Sequence, residues 1–142
     1  MATKINKADV PDNVGPRYPP PHDEPCKGRR WKRVGDAAGL SQFGVSLFRL
    51  PPGVWSSQRH WHSHEDEFVY VLSGVLVLVT DGGEEIMRAG DCCGFPAGSR
   101  DGHCLQNRSD AEAEILVVGS RNDEDHGEYS DIDMVFVSGR YS

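Results

Sequence analysis

Beyond the first quarter of the chain, short apolar runs stand between turn residues. In the first of them apolar residues recur at every second position, the period at which side chains of an extended strand return to one face. Phe43, Val45 and Leu47 set the pattern. Stretches 67–72, 75–80, 84–88, 92–95, 103–107 and 113–119 read as further strands, with 55–62 as another and 134–137 as a last apolar run. Turn residues stand between them: Pro51-Pro52-Gly53, Ser73-Gly74, Asp81-Gly82-Gly83, Ala89-Gly90-Asp91, Pro96-Ala97-Gly98-Ser99 and Arg108-Ser109-Asp110. Asp-Gly between two strands is a strong hairpin signal. No window keeps a helical period. Short strands at even spacing predict an all-β antiparallel sandwich or closed barrel. Residues 75–79 are apolar at every position. That predicts a strand covered on both faces, and a second copy of the chain is one way to cover it, so a homodimer is expected.

The sequence has 142 residues and a mass of 15.7 kDa, the size of one domain. Folding hides about two thirds of the surface of a chain this long, so a core forms without staples. Residues 1–25 hold six of the nine prolines and are expected to form an extended arm, leaving 26–142 as the domain. No apolar run approaches the length of a membrane span, and the polar first fourteen residues offer no secretory signal, so no membrane partner is expected. Net charge is −7, which argues against nucleic acid as a partner. The charge is uneven: residues 1–52 carry nine Lys and Arg against five acids, and 53–142 carry six against seventeen. The cluster Lys27, Arg29, Arg30, Lys32 and Arg33 around Trp31 reads as a solvated edge strand guarded by charge rather than as an anion or RNA patch. Cys26, Cys92, Cys93 and Cys104 form no CxxC, and adjacent cysteines bridge only under strain. They read as reduced thiols of a cytoplasmic protein.

Candidate chemistry lies in the histidines. His60, His62 and His64 stand at alternating positions, followed by Glu65, Asp66 and Glu67, with His103 further on. Residues i and i+2 of a strand share a face, so two of the three imidazoles can grip one ion. Glu67 has the wrong parity relative to His60 for an unbroken strand, so a turn at residues 63–66 is required. If His62 and His64 were the pair, only two residues would remain for that turn. With His60 and His62 there are four, all polar, which leaves His64 on the solvent side and brings Glu67, Val69 and Val71 inward together.

The stretch from Gly53 through His60, His62 and Glu67 to Gly74 resembles the first motif of the cupin superfamily, G(X)5HXH(X)3-4E(X)6G, with one extra residue before His60. Gly90, Pro96, Gly98, His103 and Asn107 resemble the second, G(X)5PXG(X)2H(X)3N, with a loop longer by two residues before His103. The motifs cover residues 53–107, and the likeness is strongest to small single-domain cupins, some of them called sugar-phosphate isomerases. This resemblance implies a double-stranded β-helix, the jelly-roll cupin barrel, with His60, His62, Glu67 and His103 as metal ligands. Three imidazoles and a carboxylate suit one divalent transition metal, with Fe, Mn, Zn, Ni and Co all compatible. Candidate substrate contacts are Arg59, Phe95 and Arg100.

The resulting expectation is a metal-binding cupin. It would be a dioxygenase or isomerase acting on a small polar molecule such as a sugar or carboxylate. A non-catalytic module that binds or senses a small ligand is the alternative. No Lys follows residue 32, so a phosphate would have to be held by Arg49, Arg59 or Arg100, or by the 27–33 patch folded over the barrel mouth.

Overall fold

The structure is a computed structural model, and it describes residues 2–139. The strands in chain order are β1 (Asn13–Val14), β2 (Arg30–Lys32), β3 (Phe43–Leu50), β4 (His60–His62), β5 (Glu67–Ser73), β6 (Val75–Thr80), β7 (Gly83–Arg88), β8 (Cys92–Phe95), β9 (Cys104–Gln106), β10 (Ala113–Ser120), β11 (Gly127–Tyr129) and β12 (Val135–Phe136). One sheet has six strands in the order β1-β2-β3-β10-β5-β8. Facing it are two three-stranded sheets, β7-β6-β9 and β12-β11-β4, joined by single bridges between His60 and His103 and between Trp55 and Gln106. All pairings are antiparallel, and the architecture is the double-stranded β-helix. No helix of the described residues is long and apolar enough to cross a membrane.

The period-two pattern explains the layers. On β5, Val69 and Val71 point into the core while Phe68, Tyr70 and Leu72 face out and are exposed. The inward residues of β5, β6 and β10, among them Leu76, Leu78, Ala113 and Ile115, form one apolar cluster with Leu50, Met87 and Leu105. Strand β6 is less covered than its all-apolar run implies: Leu76 and Leu78 are buried, but Val75, Val77 and Val79 are only partly so. The N-terminal segment lies against the barrel. Val10 and Cys26 are buried, the Trp55 N–H bonds Pro25 O at 2.9 Å, and Gln58 Nε2 bonds His22 O at 2.8 Å. The basic cluster is not at an edge, because β2 lies between β1 and β3. Trp31 stacks on Phe48 at 5.7 Å, which draws the cluster onto the barrel.

Candidate metal centre

Strand β4 presents His60 and His62 on one face and buries Trp61 on the other. It is held by β11, with Gly127 opposite His62 and Tyr129 opposite His60. After His62 the chain leaves the strand. The N–H groups of His64 and Glu65 both donate to Asp125 Oδ1, at 2.8 and 3.0 Å, and Ser63 N–H donates to His126 O. This bend changes the parity and returns Glu67, the first residue of β5, to the histidines. His103 is brought alongside by reciprocal backbone bonds with His60, 3.2 and 2.9 Å long.

The imidazoles are oriented through their outer nitrogens. His60 Nδ1 lies 2.8 Å from Gln58 O, and His62 Nδ1 lies 2.7 Å from Asp125 Oδ2, which leaves each Nε2 turned to the centre. His62 Nε2 is 3.6 Å from Glu67 Oε2, and His103 Nε2 is 3.0 Å from Glu67 Oε1. Among the described residues, His60, His62 and Glu67 each place one donor atom within 4.8 Å of the others. Metal–ligand bonds of about 2.1 Å put donors up to about 4 Å apart, so this set fits a divalent ion after small side-chain rotations. His103 falls outside that tight group; its ring lies flat on Phe95, 3.5 Å between centroids, and its Nδ1 is buried without a partner.

Electrostatics act unequally on the donors. Burial pushes His60 down to about 4, against the pull of Glu67, so at neutral pH its lone pair is free. Burial also works against a charged His62, but Glu67 and Asp125 outweigh it and raise the pKa. Glu67 pays a burial penalty for its charge, yet His103, His62 and His60 hold its carboxyl well below the usual range. A second cluster, His62, Glu65 and Asp125, shares His62 through its outer nitrogen. Asp125 and Glu65 therefore form the outer carboxylate layer that orients a ligand histidine.

The centre opens on a cavity of about 410 Å³. The inner faces of β3, β5 and β10 supply Phe48, Val69, Ile115 and Val117; β11 and β12 supply Tyr129 and Phe136; the N-terminal segment supplies Tyr18 and Arg29. Of the residues singled out from the sequence, His60, His62, Glu67 and His103 meet on this cavity. Arg59, Phe95 and Arg100 do not line it. Arg59 is held by Asp81 and Asp131. Arg100 lies over Trp61, on the side of β4 away from the histidines. Phe95 supports the His103 ring. His64 turns away to Ser63 Oγ, 2.6 Å from its Nδ1, and toward Glu124. Cys104 is buried and bonded by Gln106, and burial pushes its thiol up to about 11. The cavity cations are instead Arg29, Arg33 and Arg121. The first two belong to the 27–33 patch, which the sequence offers both as a solvated edge strand and as a patch folded over the barrel mouth; they line the cavity, so the second alternative holds for them.

The family described as Cupin domain matches residues 46–119. A sugar phosphate isomerase from a cupin superfamily of Silicibacter pomeroyi is 49% identical over 94% of this chain and 85% of that one, with a TM-score of 0.91. The oxalate-binding protein of Thermotoga maritima is 34% identical over 70 residues, 49% of this chain, and the match spans about half (55%) of that curated relative's length. The polyketide cyclase RemF of Streptomyces resistomycificus shares the fold, with a TM-score of 0.70 at 21% identity over 96% of this chain and 85% of that one.

Proposed function

The chain belongs to the cupin family, and from that premise we propose that it is a metal-dependent enzyme of the isomerase type acting on a small polyhydroxylated molecule. The observation that carries the reading is the donor set His60, His62 and Glu67, converging at the wall of a cavity of about 410 Å³. The likeness to the S. pomeroyi isomerase, at 49% identity, favours isomerisation over dioxygenation. A bound divalent metal supplies a Lewis acid that polarises a carbonyl or enediol oxygen. The chain's own residues do the rest. Gln58 O and Asp125 fix the tautomers of His60 and His62. Glu67 stays ionised and supplies a negative charge at the donor set. Phe136 packs against both imidazoles, 6.2 and 5.0 Å between centroids.

Protein purified without a metal-affinity column and reconstituted with Mn(II) or Zn(II) is expected to hold about one ion per chain by elemental analysis. His60→Ala should lower metal affinity more than tenfold, and His64→Ala should leave it within about twofold, because His64 faces away. The loaded protein is then incubated with aldoses and their phosphates while proton NMR follows aldose–ketose exchange and an electrode follows O₂. Oxygen uptake without exchange replaces the isomerase by a dioxygenase. Metal uptake with neither reaction supports the second reading, a non-catalytic ligand-binding module, which the similarity to the oxalate-binding protein favours. Failure to take up any metal overturns both metal-dependent readings.

A further inference from the structure

We infer that Arg29 forms an anion-binding subsite in this cavity, taking the carboxylate or phosphoryl group of the small molecule that reaches the histidine centre. Arg29 immediately precedes β2, and its guanidinium lies over the rings of Trp31 and Phe48, 5.7 and 5.4 Å from their centroids. Nε donates to Gly15 O at 3.4 Å and Nη1 donates to Ser56 O. Those bonds are to neutral carbonyls. Among the described residues no carboxylate pairs with it, whereas Arg49, Arg59, Arg108 and Arg121 each have an acidic partner. The polar groups that face its charge include Tyr18, Cys26 and Tyr129. Burial pushes the Tyr18 hydroxyl and the Cys26 thiol up, so neither supplies a counter-charge at neutral pH. Nη2 donates to nothing among the described residues and is not sealed from solvent.

A largely buried cation without a counter-charge is costly, and an arriving anion relieves that cost. With Nε and Nη1 already donating to carbonyls, Nη2 is the nitrogen left to donate to a carboxylate or phosphoryl oxygen, a charge-assisted bond. Arg29 shares its cavity with the donor set: Tyr18 and Tyr129 pack edge to face at 5.4 Å, and Tyr129 lies 5.9 Å from the His60 ring. Arg33, over Trp31 at 4.7 Å, adds positive potential to the same wall. The proposal deepens the metal-enzyme reading and rests on it for the ligand's other end, but the subsite itself needs no metal.

Isothermal titration of the full chain, metal-loaded and EDTA-treated, with inorganic phosphate, acetate and erythritol tests it. At least one of the two anions should bind the EDTA-treated protein, and the arm that responds identifies the acid group. Arg29→Gln should weaken that binding at least tenfold and Arg29→Lys less, while Arg88→Gln, on exposed β7, leaves it unchanged. Erythritol should give no signal that depends on Arg29. Because Arg29 also ties down Gly15 and Ser56, a second measurement uses the wild-type chain. Phenylglyoxal modification mapped by mass spectrometry should be slowed at Arg29 by the binding anion and not at Arg88. Equal modification of Arg29 with and without either anion, or wild-type anion affinity in a folded Arg29→Gln, overturns the subsite. Anion binding through Arg29 in a chain that takes up no metal keeps the subsite and defeats the metal-enzyme reading. Metal uptake that depends on His60, with no anion response at Arg29, does the reverse.

Discussion

Asp125 shows how much of the centre depends on one buried side chain. Its Oδ2 takes His62 Nδ1, and its Oδ1 takes two backbone N–H groups of the bend that returns Glu67. Asp125→Asn should keep the bend and lose the charge that orients His62. Metal affinity is expected to fall about 10- to 100-fold by Zn(II) competition titration, with stability nearly unchanged. Asp125→Ala strands both N–H groups and should in addition cost about 1–3 kcal/mol for each in urea denaturation. Wild-type metal affinity in both variants would mean that strand pairing alone orients His62. The histidines were legible in the sequence because i, i+2 spacing and a four-residue bend are local. Asp125 was not: it lies 63 residues from His62, within a stretch that reads as acidic surface. Arg29 was legible only as one member of the 27–33 patch that could fold over the barrel mouth, because which member reaches the cavity depends on Phe48, from another strand, receiving Trp31.

Strands with one face buried announced themselves. Short apolar runs bounded by turn residues located β5, β6, β8 and β10 to within a residue or two. The expectation of a strand over 55–62 was too long. Only His60–His62 pairs as a strand, since Ser56 turns its Oγ to the Leu105 N–H, 3.0 Å away. Strand β11 went unseen, because its three residues are set by their partner β4 rather than by their own pattern. Gly74, between β5 and β6, sits at φ +86°, and a Cβ there would lie 2.7 Å from Ala113 Cα and Cβ. Gly53, at φ +83°, has nothing within 4 Å of that position. Gly74→Ala therefore combines backbone strain with a clash against β10 and should cost roughly 3 kcal/mol or more, against about 1–2 kcal/mol of strain for Gly53→Ala. Urea denaturation at constant m-value compares the two, and equal losses would show that β10 gives way around the new methyl.

At the scale of the molecule, the six-stranded sheet turns one face to the cavity and the other to solvent. Leu47, Leu116 and Tyr70 form one cross-strand rung of that outer face, and Val45, Val118 and Phe68 form the next. Phe68, Tyr70 and Leu72 of β5 are the open part of that face, about 40% exposed (41%, 39% and 41%), while Val45, Leu47, Leu116 and Val118 are half-buried, Val45 against Gly35. This face, more than the half-covered valines of β6, has the character of a surface that another chain covers. A second copy meeting it about a two-fold axis would place like against like, which an apolar surface tolerates and a charged one does not. We therefore expect a homodimer through the outer face of β3, β5 and β10. Light scattering at micromolar concentration should give near twice the 15.7 kDa chain mass. Tyr70→Asp with Leu72→Asp should give a single-chain mass and an unchanged circular dichroism spectrum, because both side chains point away from the core. The cavity lies on the opposite face, so the dissociated variant should still load metal as the parent does. A parent protein that already scatters as one chain would leave the patch a solvent-facing surface and remove the dimer.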